Sequence, residues 1–207
     1  MINIVPMKPS HWEAVAAIYQ EGIDTGCATF ETSPPASFES WDKAHMASCR
    51  FVAVAVTVTE HDGNGAPSVK TDNNDKTATT TTADTSSISH GEDSAAEVGS
   101  SIMGWAALSP VSSRCVYGGV AEVSVYVGQN HRGKGVGTQL LRKLIKSSEE
   151  EGIWTLQSGI FPENIGSIVL HQQVGFRYIG KREKIGKLKG VWRDNALFER
   201  RSTVVGL

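Results

Sequence analysis

A strand, a polar turn and a glycine-rich loop follow one another between residues 125 and 138, and this run constrains the fold more than any other feature of the 207-residue chain. Val125-Tyr126-Val127 is strand-forming, residues 128–131 form the polar turn, and Arg132-Gly133-Lys134-Gly135-Val136-Gly137-Thr138 opens a helix. Glycines leave backbone N–H groups unshielded, and a helix start carries partial positive charge. The run therefore predicts a site for a phosphate or pyrophosphate group.

Two other phosphate-binding motifs fit this loop poorly. In a nucleotide P-loop, G-x-x-x-x-G-K-[ST], Gly128 and Gly133-Lys134 would have the right spacing, but Gly135 replaces the hydroxyl that binds Mg²⁺. A dinucleotide fingerprint needs G-x-G-x-x-G, whereas the glycines here run G-x-G-x-G. A tight turn without a ligand stays open as a third interpretation, although the strand before it and the amphipathic helix after it weaken that interpretation.

Apolar patterning predicts a single α/β domain over residues 1–207 with a mixed sheet, in the order β-α-α-β-β-β-α-β-α-β-β. The first helix is predicted to start at the capping-box pattern Ser10-His11-Trp12-Glu13 and to continue through Gly22. The predicted strands cover residues 2–5, 51–59, 102–108, 122–127, 154–160, 176–185 and 191–200, and the other helices cover 38–48, 138–151 and 164–174.

Residues 60–100 form a low-complexity segment that is rich in Thr, Ser, Asp, Asn and Gly and has no aromatic residue. Such a segment cannot bury enough apolar surface to offset its ordering entropy, so we expect a disordered acidic insert in the β2–β3 hairpin. A phosphorylated functional segment is the alternative.

Residues 60–97 carry eight acidic residues and two lysines, a net charge of −6. Because the whole chain carries −2, the remainder carries +4, too little to indicate nucleic-acid binding.

Composition favours a cytoplasmic protein with reduced thiols. The three cysteines, Cys27, Cys49 and Cys115, fit neither a metal spacing nor a closed disulfide set. The first residues lack the features of a signal peptide, and the longest apolar run is too short to span a bilayer, so no membrane association is expected. The histidines His11, His45, His61, His90 and His131 are not clustered, and no metal site is predicted.

Arg132-x-x-Gly135-x-Gly137 after a strand resembles the acyl-CoA loop of the GNAT N-acetyltransferases, and the element order is similar to that superfamily's. Further marks resemble its phosphinothricin and L-amino-acid N-acyltransferase branch and span nearly the whole chain except the insert. These marks are Ile18-Tyr19, residues 25–31 with Pro34, Gly104-Trp105-Ala106 with Pro110, residues 114–117, residues 122–127, Pro162-Glu163-Asn164 with Ser167, Leu170-His171, Gly175-Phe176 and residues 190–194.

The resemblance implies the GNAT fold and acetyl-CoA as the acyl donor. Backbone groups of Val125, Tyr126 and Val127 would bind the pantetheine arm and polarise the thioester carbonyl. Asn164 matches a pantetheine-contacting asparagine, with Ser167 beside it on the same helix. The pyrophosphate would be held by Arg132 and by backbone N–H groups of Gly133, Lys134, Gly135, Val136, Gly137 and Thr138.

Two residues are the catalytic candidates. Glu122 would remove a proton from the substrate ammonium, directly or through water, and the alternative is an ordinary exposed strand glutamate. His171 stands where many relatives of the superfamily carry a tyrosine that protonates the departing thiolate. It would act as an imidazolium or as a neutral ring with one N–H, and the alternative is a histidine that only packs or hydrogen-bonds.

The acceptor implied by the resemblance is the α-amino group of a small amino acid or toxic analogue. Phe30, Glu31, Arg114, Tyr117 and Trp192 are the candidate substrate contacts, and a homodimer pairing through the acceptor loops is implied too. Ser112, where relatives often have Arg or Lys, and Leu188, where they have Lys, put phosphinothricin itself in doubt. Acetylation of a polyamine, an aminoglycoside or a protein N-terminus, and a non-catalytic CoA-binding module, remain the alternatives.

Overall fold

The computed structural model describes residues 1–55 and 101–207. The elements occur in the order predicted from the sequence. They are β1 Ile2–Pro6, α1 Trp12–Asp24, α2 Phe38–Asp42, β2 Arg50–Ala55, β3 Ile102–Pro110, β4 Val120–Val127, α3 Val136–Glu150, β5 Thr155–Ile160, α4 Ile165–Gln173, β6 Arg177–Leu188 and β7 Val191–Arg201. Short 3₁₀ turns lie at Pro9–His11, Cys115–Tyr117 and Gln129–His131. The insert predicted over residues 60–100 lies outside the described residues.

Two predicted helix boundaries are wrong. No capping box forms at Ser10, because Pro9 begins a 3₁₀ turn and α1 starts after His11, whose Nδ1 accepts a hydrogen bond from the Lys8 N–H at 3.1 Å. The helix predicted over residues 38–48 ends at Asp42. The His45 ring stacks on Trp41, with 3.9 Å between the ring centroids, and Nδ1 of His45 lies 2.7 Å from the Trp41 carbonyl. That carbonyl is the one to which a continuing α-helix would direct the His45 backbone N–H.

The described residues form one seven-stranded sheet in the order β1-β2-β3-β4-β5-β7-β6. Strands β4 and β5 are parallel and the other neighbours are antiparallel. The parallel pairing is short, because it joins only Val120–Glu122 to Thr155–Gln157. Beyond it, β4 continues to Val127 beside β3, and β5 continues to Ile160 beside β7. The two halves of the sheet therefore separate after Glu122, and the separation creates the space for a site.

Helices cover both faces of the sheet. Leu140, Leu141 and Leu144 place a fully buried stripe of α3 on one face, with the spacing of an amphipathic helix. On the other face, Val15 of α1 and Trp41 of α2 pack with Trp105 of β3. Burial on both faces explains the nearly continuous apolar sequences of β2 and β3. This packing fixes the N-terminus of α3 and the C-terminus of α1 beside the separation of β4 and β5.

Candidate active site

The glycine-rich loop has a left-handed backbone at the start of α3. Gly133 and Gly135 have φ angles of +73° and +79°, in the left-handed region that only glycine enters at little cost. Gly135 is the N-cap of α3, and no side chain caps this helix end. The first backbone N–H groups of α3 therefore have no intrahelical or side-chain cap partner, and they carry the positive end of the helix dipole.

A cavity of about 650 Å³ lies against this loop. Its lining includes Arg132, Gly133 and the run Gly135–Thr138 from the predicted set, but not Lys134, whose side chain is exposed. Arg132 is held in place because its Nε donates to the Val127 carbonyl at 3.2 Å. The opposite wall comes from the end of α1 and from α4. The lining also includes Cys27, which follows α1, and His131, which lies in the 3₁₀ turn just before the loop.

A second cavity, of about 300 Å³, lies where β4 and β5 separate. Residues 122–126 of β4 form one side and residues 158–161 form the other. Ala28, Val125, Tyr126, Asn164 and Ser167 line both cavities, so the two spaces adjoin. We refer to the space beside the glycine loop as the loop cavity and to the space between β4 and β5 as the sheet cavity.

Asn164 links the two walls. Its Oδ1 accepts a hydrogen bond from the Ser167 N–H at 3.1 Å and caps α4, and its Nδ2 donates to the Cys27 carbonyl at 3.2 Å. A side-chain cap of this kind contributes about 1 kcal/mol to helix stability. Asn164 thus has a structural role at the junction of the two cavities, in addition to its predicted contact with a ligand.

Glu122 is an exposed residue that lines the sheet cavity. It belongs to the last parallel pair of β4 and β5, opposite Gln157. The carboxylate is therefore placed at the point where the two strands begin to separate. Among the described residues, no strand pairs with β4 on this side beyond Glu122, so backbone groups of residues 123–126 are open to a ligand.

His171 lies in the same cavity and is buried, with 1% of its surface exposed. Its Nδ1 is 2.8 Å from the Ser167 carbonyl. A carbonyl only accepts, so the proton of the neutral ring lies on Nδ1 and Nε2 presents a lone pair. Burial lowers the pKa of His171, and the Ser167 carbonyl opposes that shift only in part. Nε2 has no hydrogen-bond partner among the described residues. The neutral ring in this orientation accepts at Nε2 and donates nothing there.

A cluster of three aromatic side chains lies beside the sheet cavity, and Tyr19 and Tyr126 of this cluster line it. The sequence patterns do not predict this contact. Tyr126 stacks on Trp105 and contacts Tyr19, each at 4.7 Å between ring centroids. Burial raises the pKa of both tyrosines, so both hydroxyls remain protonated. Gly22 permits the packing, because a Cβ there would lie 2.6 Å from the Tyr126 ring.

The predicted substrate contacts divide into two groups. Phe30 and Glu31 line the sheet cavity, as does the rest of the segment from Ala28. Arg114 and Tyr117 do not line it, because they lie in the turn before β4, where the Arg114 guanidinium lies 5.5 Å from the centre of the Tyr117 ring. Trp192 is 54% exposed and is also outside the lining.

Strand alternation explains the position of Trp192. Its neighbour Arg193 turns the other way, donating to the Gly26 carbonyl at 3.2 Å and lying 5.1 Å from the centre of the Phe161 ring. Asn195, two residues further along β7, shares that direction and lines the sheet cavity. The alternation is visible in the sequence, but the pattern alone does not tell which face meets the cavity.

No group of three or more potential metal ligands occurs in residues 1–55 and 101–207. Within the same two segments, no helix combines the length and the hydropathy needed to cross a bilayer.

The charged side chains in the described lining of the sheet cavity are all negative. Its described residues include the carboxylates of Glu31 and Glu122 and neither lysine nor arginine.

Several curated proteins share sequence with this chain. The L-methionine sulfoximine/L-methionine sulfone acetyltransferase of Pseudomonas aeruginosa is 40% identical over 76 residues, which cover 37% of this chain and 44% of the relative. The phosphinothricin N-acetyltransferase of Streptomyces coelicolor is 32% identical over 99 residues, which cover 48% of this chain and 58% of the relative. The chain thus spans about half the length of the curated relatives that it matches.

A solved structure shares the fold. The GNAT superfamily phosphinothricin acetyltransferase of Sinorhizobium meliloti, in complex with acetyl-CoA, superposes with a TM-score of 0.69 at 21% identity, covering 99% of this chain and 90% of that one. The family model described as "Acetyltransferase (GNAT) family" matches residues 67–176, just over half of the chain. The chain therefore belongs to the GNAT acetyltransferase family.

Proposed function

We propose that the chain transfers the acetyl group of acetyl-CoA to the α-amino group of a small amino acid or amino-acid analogue. The observation that carries this proposal is the adjoining pair of cavities: one meets a glycine-lined helix N-terminus and the other meets Glu122. The first suits an anionic cofactor, and the second offers a base to an acceptor amine. The substrates named for the curated relatives support an amino-acid analogue as the acceptor.

The loop cavity fits the phosphate end of the cofactor. Gly133 and Gly135 keep the backbone bare, and even a Cβ placed at either position would meet no other atom within 4 Å, so the space stays free for a ligand. The N–H groups at the start of α3 and the cation of Arg132 would hold the pyrophosphate. Acetyl-CoA, when bound, supplies a thioester whose acetyl group is reactive toward amines.

The open edge of β4 would bind an extended ligand arm in the manner of an added strand. Residues 125–127 line the loop cavity, and 125–126 also line the sheet cavity, so this edge leads from one space to the other. A backbone N–H there would donate to the carbonyl oxygen on which negative charge develops, the role of an oxyanion hole. Asn164, at the junction, would orient the arm as it passes.

Glu122 would act as the general base. An amine at neutral pH is mostly ammonium, which lacks the lone pair needed for attack. The Glu122 carboxylate, in the sheet cavity, would take a proton from the acceptor directly or through one water molecule. His171 would accept a hydrogen bond or a proton at Nε2 rather than donate one, because its neutral ring carries the proton on Nδ1.

The test is acetyl-CoA-dependent thiol release with a panel of free amino acids and analogues. Glu122→Gln is expected to lower kcat by a factor of about 10² to 10⁴, the usual contribution of general-base catalysis. Affinity for CoA should stay the same, because Glu122 does not line the loop cavity. Glu183→Gln is the matched control, since Glu183 pairs with Lys181 outside both cavities. Normal turnover by Glu122→Gln would remove this residue from the mechanism.

A second candidate is N-acetylation of an amine without a carboxylate, such as a polyamine. One observation favours it: the described lining of the sheet cavity holds two carboxylates and no cationic side chain to pair with a substrate carboxylate. The same panel separates the two candidates if each amino acid is compared with its decarboxylated amine.

We further propose a cytoplasmic homodimer with a role in detoxification. Exposed apolar side chains in the turn before β4 and at the start of β7 support the pairing, notably Val116, Tyr117, Val191 and Trp192. A partner subunit covering them would also give Arg114, Tyr117 and Trp192 a role that they lack in the single chain. Sedimentation of the purified chain tests the dimer, and a monomer at micromolar concentration would contradict it.

A further inference from the structure

The amide of Asn195 lies in the sheet cavity with an unsatisfied oxygen. Its Oδ1 is buried and has no hydrogen-bond partner among the described residues. Asn195 is on β7, and the cavity places it across from the β4 wall that carries Glu122. A buried polar atom without a partner costs about 1 to 3 kcal/mol, so an acceptor left free beside a cavity suggests that a ligand completes it.

Gly159 of β5 makes room for this amide. A Cβ at position 159 would lie 2.7 Å from Nδ2 and 2.8 Å from Oδ1 of Asn195, too close for any side chain other than hydrogen. The amide therefore rests directly over the backbone of the neighbouring strand. The absence of a side chain at Gly159 is what lets Asn195 occupy the cavity wall.

The buried unpartnered atoms and the charged groups in the lining of the sheet cavity are all hydrogen-bond acceptors. Nε2 of His171 is a second buried and unpartnered atom of the same cavity, and it presents a lone pair. The carboxylates of Glu31 and Glu122 line the cavity too. Two unsatisfied acceptors and two carboxylates select a ligand rich in N–H donors.

We infer that Asn195 is a specificity-determining residue, whose Oδ1 accepts a hydrogen bond from an N–H group in the side chain of the acceptor. The inference rests on the proposed function and narrows it to amino acids or analogues with nitrogen in the side chain. Glu122 serves the α-amino group that is acetylated, and Asn195 holds the second nitrogen.

The test compares L-glutamine with L-methionine, a side chain of similar length that has no N–H. In Asn195→Leu, the ratio of kcat/KM for L-glutamine to that for L-methionine should fall about five- to tenfold, the effect of one lost hydrogen bond. Gly159→Ala should lower the ratio in the same direction, because its methyl group displaces the amide. Asn195→Asp, which keeps an oxygen acceptor, should leave the ratio at the wild-type value or above it.

Glu199→Gln is the matched control, because Glu199 lies on the same strand, outside both cavities. The ratio of kcat/KM for L-glutamine to that for L-methionine should be the same in Glu199→Gln as in the wild type. Affinity for CoA should be unchanged in all four variants. If Asn195→Leu and Gly159→Ala both transfer the acetyl group with the wild-type ratio of the two kcat/KM values, the inference is overturned while the proposed function stays intact. Absence of transfer to any amino acid would overturn both.

Discussion

A carboxylate at the N-cap of α3 provides a sharp test of the proposed phosphate site. Gly135 has φ +79°, and a Cβ there would meet no other atom within 4 Å. Gly135→Asp is therefore accommodated sterically. Its left-handed backbone strain costs about 1 kcal/mol of unfolding free energy, and the favourable contact of the carboxylate with the helix N-terminus offsets part of that cost, so about 1 kcal/mol is the upper limit of the loss. For a chain of this size, such a loss lowers Tm by about 2 to 4 °C.

The effect on the ligand is separate from that strain. The new carboxylate would face a pyrophosphate held at the same helix end. Two like charges about 4 Å apart repel by about 1 kcal/mol in water and about 4 kcal/mol at the effective dielectric constant of a protein surface. Affinity for CoA should therefore fall by a factor between about five and several hundred. Isothermal titration calorimetry with CoA at low ionic strength measures this directly.

Gly152 offers a matched control at the other end of the same helix. It has φ +74°, and a Cβ placed there would have equally free space around it. Gly152→Asp should lower Tm at least as much as Gly135→Asp does, because its carboxylate lies at the negative end of the helix dipole, yet it should bind CoA with wild-type affinity. The assignment of the loop is refuted if Gly135→Asp binds CoA as tightly as the wild type, or if the two variants weaken binding equally.

Two further predictions concern His171 and Asn164. Burial lowers the folded-state pKa of His171 below its unfolded value of about 6.5, so its contribution to stability is present above pH 6.5 and is lost as the pH falls below it. Denaturant melts from pH 7.5 to 5 should therefore show a smaller pH dependence of stability in His171→Gln than in the wild type. The pH dependence due to His45, whose pKa is also lowered by burial, should remain in the variant. Asn164→Ala should lose about 1 to 2 kcal/mol of unfolding free energy through the lost cap and the lost bond to the Cys27 carbonyl. Asn164→Asp should recover the cap alone, and equal chemical denaturation midpoints for the two variants would contradict this division.

The sequence by itself determined the local chemistry. Glycines at 133 and 135 permit a left-handed backbone wherever the loop lies, so a glycine loop that opens a helix could be predicted from neighbouring residues. The element order followed from apolar periodicity for the same reason, since period and length are local properties. The helix boundaries at Ser10 and after Asp42 were less predictable, because a proline turn and the stacking of His45 on Trp41 decided them.

Tertiary structure decided which side chains meet. The separation of β4 and β5 after Glu122 depends on pairing between distant strands, and it turns an ordinary strand glutamate into the wall of a cavity. The Ser167 carbonyl fixes the tautomer of His171. Trp192 is left outside the cavity and Asn195 is brought inside, because the face that β7 presents is set by its pairing with β5. Arg114 is left outside because it lies in the turn before β4. Strand alternation is visible in a sequence, but the direction in which it points is a property of the assembled sheet.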